Sequence, residues 1–215
     1  MQKFVMVKKK HIIPNEVYHI VQRAPGDEVL FRNAHDRYTF LFIIKKLLPK
    51  YNIHLISYSL MPNHIHMLLK IHNVNLSLCM KKVFEQYATY FNRKYLRKGH
   101  VFYGVYRLIH CCTPFSIIAV SIYIHLNASK ARLVKDPFEY KWHSLKLFLS
   151  NSDNKFIYPN YVLSLIDDDP IRAKKIYEKF LYKTMELNYQ NVLLNKKAVR
   201  EFINDSEKWS DHILI

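Results

Sequence analysis

Residues 53–60 (IHLISYSL) and 64–71 (HIHMLLKI) are two runs rich in β-formers, separated only by Met61-Pro62-Asn63. Proline cannot donate to a central ladder, and three residues are too few for a crossover to a parallel neighbour. The two runs are therefore adjacent antiparallel strands, and any fold for this chain has to be built around that pair. A similar run at 16–23 (EVYHIVQR) ends at the turn signal Ala24-Pro25-Gly26-Asp27 and reads as an earlier strand.

Helical spacing appears between and after these runs. From Asn33, a candidate N-cap, residues 34–48 place Tyr38, Leu41, Phe42, Lys45 and Leu48 at helical intervals, and Pro49 ends the pattern. Residues 76–95 put Leu76, Met80, Val83, Phe84, Tyr87, Tyr90 and Phe91 on one face of a long amphipathic helix. Residues 101–110 are aromatic and extended, and Thr113-Pro114 opens a further helix through about Asn127, with Thr as cap and Pro at the first position. The order strand, helix, strand, strand, helix, strand, helix predicts an α+β fold, a ferredoxin-like split βαβ antiparallel sheet with helices on one face. The texture changes after residue 150, and 170–204 reads as two helices opening at Asp169-Pro170. The expected organisation is a main domain at 1–150 and a C-terminal helical appendage at 151–215.

The 33 Lys and Arg against 17 Asp and Glu leave a net charge of +16, which draws polyanions and makes nucleic acid the expected partner. Arg93, Lys94, Arg97, Lys98 and Arg107 are the candidates to track DNA phosphates. No membrane association is expected, because no apolar run reaches the ~18 residues of a span, and the start Met1-Gln2-Lys3-Phe4 has no signal-peptide pattern. Cys79, Cys111 and Cys112 contain no CxxC pair, so a reducing cytoplasm is the expected compartment.

Two imidazoles two residues apart on a strand share a face, so His64 and His66 can reach one ion while Ile65 turns into the opposite layer. Alone, such a pair in a chain with 12 histidines is more often structural. Tyr123 and Asn127 stand four residues apart and are neighbours on one helical face, where a nucleophile and a ligand can share a site. His125, about 100° around the helix from its neighbours, reads as structural or DNA-facing. His19, on the first strand, reads as a neighbour of the site without an assigned role.

Together the segments Met61-Pro62-Asn63-His64-Ile65-His66-Met67-Leu68-Leu69, Gly99-His100-Val101-Phe102-Tyr103-Gly104 and Tyr123-Ile124-His125-Leu126-Asn127 resemble the HUH single-tyrosine transposases, in particular the REP-associated group. The similarity runs from about Tyr18 to Leu149. It implies a ferredoxin-like nuclease that uses Mg²⁺ or Mn²⁺ to cut single-stranded DNA near hairpins, commonly as a homodimer. His64, His66 and Asn127 would be metal ligands and Tyr123 the nucleophile, forming a 5′-phosphotyrosyl intermediate that is then rejoined. A catalytically silent DNA- or RNA-hairpin-binding protein of the same fold is the alternative. The chain departs from the family pattern at Ala128, where proline usually follows the asparagine, at Val105, usually arginine, and in the early loop Gln22-Arg23-Ala24-Pro25-Gly26.

Overall fold

The computed structural model of the chain describes residues 12–151 and 155–186. Its strands are β1 (Glu16–Arg23), β2 (Ile53–Leu60), β3 (His64–Ile71) and β4 (Arg107–Cys111). Its helices are α1 (Ala34–Leu47), α2 (Leu76–Lys94), α3 (Pro114–Lys130), α4 (Leu145–Leu149), α5 (Asn160–Leu163) and α6 (Pro170–Glu186). The sheet order is β2-β3-β1-β4 with every pairing antiparallel, so β3 is inserted between the strands that α1 connects. That is the expected split βαβ, ferredoxin-like sheet.

Local chemistry explains where the elements begin. Asn33 accepts from the Asp36 backbone N–H while the Asp36 carboxylate accepts from Asn33 N–H, a reciprocal cap that starts α1. Thr113 and Ser116 make the same exchange at the start of α3, with Pro114 at the first position. Asn52 takes a left-handed φ of 52° and turns the chain from α1 into β2.

Side-chain alternation divides the sheet into two faces. Tyr18, Ile20 and Gln22 of β1 share one face with Ile65, Met67 and Leu69 of β3. There, Gln22 borders a cavity with Phe84 and Ala88 of α2, and Phe31, Phe40 and Tyr87 pack ring to ring between α1 and α2. His19 and Val21 share the other face with His64, His66 and Leu68. This face is covered by α3, whose Tyr123 ring meets the rings of His19 and His66. The expectation of helices on one face thus holds for the crossover helices α1 and α2 and is corrected for α3. The physical reason is in α3 itself: Ile118, Ile122, Ile124, Leu126 and Ala128 are all buried, and a helix apolar on every side needs neighbours on every side. The sheet lies on one side of it and α6 on another, where Tyr177 reaches Ser121 and His125.

Three further expectations change in detail. The extended segment 101–110 is a strand only from Arg107, because Gly104 turns the backbone at φ +56° and Phe102 folds inward against Phe84 and Tyr87. Helix α3 continues past Asn127 to Lys130. In the expected appendage, α6 opens with Asp169 Oδ1 accepting from the N–H groups of Ile171 and Arg172, but Ala173, Tyr177, Phe180 and Leu181 belong to the same apolar core as the sheet. Residue 150 is therefore not an edge of that core. The second helix expected there lies outside the described residues beyond Glu186. No helix of the described residues is long and apolar enough to cross a membrane.

Candidate active site

The registers Arg23↔His64 and Val21↔His66 bring both histidines to the end of β3 beside the end of β1. Backbone bonds from Ala24 N–H to the Asn63 carbonyl, Leu30 N–H to the Pro62 carbonyl and Tyr103 N–H to the Arg23 carbonyl gather three loops around that end of the sheet. Ile65 is fully buried in the opposite layer, as its position between the histidines requires. The His64 and His66 rings stand nearly perpendicular with centroids 4.9 Å apart.

Each ring nitrogen has a distinct environment. His64 Nδ1 lies 2.8 Å from Asn63 Oδ1; an amide oxygen only accepts, so Nδ1 carries the proton and Nε2 presents a lone pair. His66 is 4% exposed, its Nδ1 is 2.9 Å from His19 Nε2, and its Nε2 is buried with no hydrogen-bond partner. Burial, followed by the charges of His19 and His64, holds the His66 pKa well below the ordinary histidine value. Burial and then Arg23 lower that of His64, and burial lowers His19 to about 4. At neutral pH all three rings are neutral, the form in which imidazole binds a metal.

From the other side α3 supplies Tyr123, half-buried, its ring nearly perpendicular to His66 at 5.5 Å and edge-on to His19 at 6.1 Å. Two turns further along, Lys130 Nζ lies 5.5 Å from the Tyr123 ring centroid. Asn127 is 6% exposed, and its Nδ2 donates to the Tyr123 carbonyl at 2.9 Å. That bond occupies the amide nitrogen and leaves ligand chemistry to Oδ1. The structure thus brings His64, His66 and Tyr123 together, adds His19 to them, and sets Asn127 one turn from the tyrosine. Among the described residues no group of three or more His, Cys, Asp and Glu side chains is placed to hold a metal.

The five basic candidates separate. Arg107 is exposed and shares a row with Val21 and His66 across the sheet, on the face of the histidines. Lys94 Nζ is 2.7 Å from the buried Asp36 carboxylate, and Arg97 pairs with Glu28. Arg93 and Lys98 are exposed near the end of α2, the helix on the opposite face. His125 is structural: fully buried, it bonds Tyr177 Oη at 2.7 Å and Ser144 Oγ at 2.8 Å.

The family model described as "Transposase IS200 like" matches residues 13–127, more than half of the chain and every member of this cluster except Lys130. The chain belongs to the IS200-like transposase family. Members of the IS200-like family are transposases, enzymes that process DNA. Among solved structures, the chain is similar to a REP-associated tyrosine transposase bound to a REP hairpin, with 11% identity, 70% of this chain and 88% of that chain covered, and a TM-score of 0.58. That likeness establishes the shared fold. A tRNA(His) guanylyltransferase from Saccharomyces cerevisiae aligns with 11% identity over 80% of each chain at a TM-score of 0.42, too low to bear on the fold. Comparison with curated proteins gives no match. The IS200-like match ends at Asn127, so the last turn of α3 and all of α4–α6 lie beyond it.

Sequence reasoning left two members of the cluster without a role. His19 read as a neighbour of the site, and only the pairing register shows its partner, since it lies diagonally across from His66 on a neighbouring strand. Lys130 required knowing that α3 runs beyond Asn127; its spacing of seven from Tyr123 then puts both on one face.

Proposed function

We propose that this IS200-like protein is a metal-dependent endonuclease and strand transferase acting on single-stranded DNA that carries hairpins. The carrying observation is that Tyr123 packs against His66, whose Nε2 is buried, neutral and unpartnered. A buried lone pair without a partner is unfavourable unless a ligand completes it. In this reading the imidazole nitrogens of His64 and His66 and the Asn127 amide oxygen would hold Mg²⁺ or Mn²⁺, with water and phosphate oxygens completing the oxygen-rich shell such ions take. When bound there, the ion supplies positive charge that polarises the scissile phosphate.

In this reading the Tyr123 oxygen attacks phosphorus and the bond to the 3′-oxygen breaks. The phenolic proton leaves, the departing 3′-oxygen takes up a proton, and the products are a 5′-phosphotyrosyl bond and a free 3′-hydroxyl. One phosphoester replaces another, so attack by a 3′-hydroxyl reverses the step without an external energy source. Lys130 places an ammonium beside the attacking ring, where it attracts the phosphate, and Arg107 extends that attraction along the sheet row. The hairpin substrate is supported by the basic charge and by the hairpin named in the similar transposase structure. A cytoplasmic homodimer completes the reading; the free thiols Cys79, Cys111 and Cys112 accord with a reducing compartment.

The test incubates the protein with end-labelled single-stranded hairpin DNA and Mn²⁺ and looks for an adduct that survives denaturation. Wild type is expected to form it, Tyr123→Phe is not, and light scattering is expected to show a dimer. Equal nicking by both proteins would make water the nucleophile and sink the tyrosine mechanism. Salt-sensitive binding with no adduct across a broad hairpin library would leave a hairpin-binding protein instead.

A further inference from the structure

We propose that His19 is a positioning residue: its Nε2 accepts a hydrogen bond from His66 Nδ1–H, holding His66 in the tautomer whose Nε2 can serve as a ligand and fixing its ring beside Tyr123. This rests on the metal-site reading above. The His19 Nε2 to His66 Nδ1 contact is 2.9 Å and buried, and two nitrogens can share it only if one carries hydrogen and the other a lone pair. The environment of His66 Nε2 selects between the two assignments. If hydrogen sat on Nε2, a buried N–H would have no acceptor, an arrangement that a bound cation could not relieve. With hydrogen on Nδ1, that nitrogen donates to His19, and Nε2 presents the lone pair a cation needs. The rings lie nearly parallel, 23° apart with centroids at 5.1 Å, and Tyr123 abuts both edge-on, so His19 also packs beside the nucleophile.

A histidine that binds a metal usually donates its second N–H to a carboxylate, a carbonyl or water. An imidazole in that place has a physical advantage at a phosphodiester, because it orients the ligand without adding negative charge next to the phosphate. The bond also links different strands: His19 comes from β1 and His66 from β3, so the ligand's orientation depends on sheet pairing rather than on a loop.

Long-range ¹H–¹⁵N spectra of the metal-free protein at pH 7.5 report which nitrogen of His66 is protonated. Wild type is expected to show hydrogen on Nδ1, and His19→Leu a mixture or hydrogen on Nε2. Free Mn²⁺ counted by electron paramagnetic resonance gives the second readout: His19→Leu is expected to bind Mn²⁺ about 10- to 100-fold more weakly. His19→Gln, whose amide oxygen can reach the place of Nε2, is expected to restore binding to within about threefold of wild type. If His19→Leu fails to fold, His19→Asn, whose amide stops short of His66, takes its place. Hydrogen on Nε2 in wild type, undiminished Mn²⁺ affinity in His19→Leu, or equal loss in His19→Leu and His19→Gln would each overturn the proposal. A His64→Ala variant separates the two readings: unchanged Mn²⁺ binding there removes the metal site, while the tautomer measurement still decides the role of His19.

Discussion

Arg107 and Lys94 carry the same charge, and their surroundings give them different jobs. Adjacent strands lie about 4.8 Å apart, so the row Arg107–Val21–His66 puts Arg107 roughly 10 Å from the histidine, exposed and on the same face. Arg107→Ala is expected to weaken hairpin DNA binding across sequences and to reduce the slope of log K against log salt by about 1. A salt titration followed by fluorescence anisotropy measures both, and an unchanged slope removes Arg107 from the phosphate path. Lys94 instead answers Asp36, a fully buried carboxylate that also accepts from Tyr90 and Tyr95. Burial pushes the Asp36 pKa up, but the hydrogen bonds led by Lys94 outweigh it and bring the value down to about 2. Lys94→Ala leaves the buried Asp36 carboxylate without its cation and is expected to lower the urea midpoint of unfolding.

At the scale of elements, α3 is held from behind as firmly as it is presented in front. Tyr123 and His125 are two residues apart, about 200° around the helix, so one faces the histidines while the other points away. His125 bonds Tyr177 of α6 and Ser144 ahead of α4; Tyr177 Oη meets Ser121 Oγ at 2.8 Å, and Ser144 Oγ accepts from the Tyr58 backbone N–H of β2. Four elements thus converge on one buried polar network behind the nucleophile. Tyr177→Phe keeps the ring but removes the hydroxyl shared by Ser121 and His125, and is expected to destabilise the protein by about 1–3 kcal/mol. A urea midpoint equal to that of wild type would show that the network contributes nothing to holding α3.

The whole molecule buries histidines in a chain already at +16, and this makes its stability depend on pH. Burial lowers His19 to about 4 and holds His66 and His125 well below the ordinary value. An unfolded histidine takes up a proton near ~6.5, whereas these folded rings do so only at lower pH. Below ~6.5 the unfolded state therefore binds more protons than the folded one, and stability falls as pH falls. The loss levels off only once the folded values are passed; above ~6.5 these rings make no pH-dependent contribution. Each contributes a slope of up to about 1.4 kcal/mol per pH unit in that window, and growing self-repulsion acts in the same direction. Urea midpoints for the metal-free protein are expected to drop clearly between pH 7.5 and 5.0, and a flat profile would contradict the buried neutral rings. The bounds of β1, β2 and β3 and the start of α3 were legible in the sequence, because alternation, a three-residue connector and a Thr-Pro cap act over a few residues. The same local rules, together with the family resemblance, identified His64, His66, Tyr123 and Asn127 as a candidate set. The side of the sheet that α3 covers, the His19–His66 bond and the insertion of α6 into the core were decided only by tertiary structure. These depend on partners far apart in the chain, His19 and His66 by 47 positions and His125 and Tyr177 by 52. Periodicity tells a strand which of its residues share a face; burial of both faces of the sheet decides what each face meets.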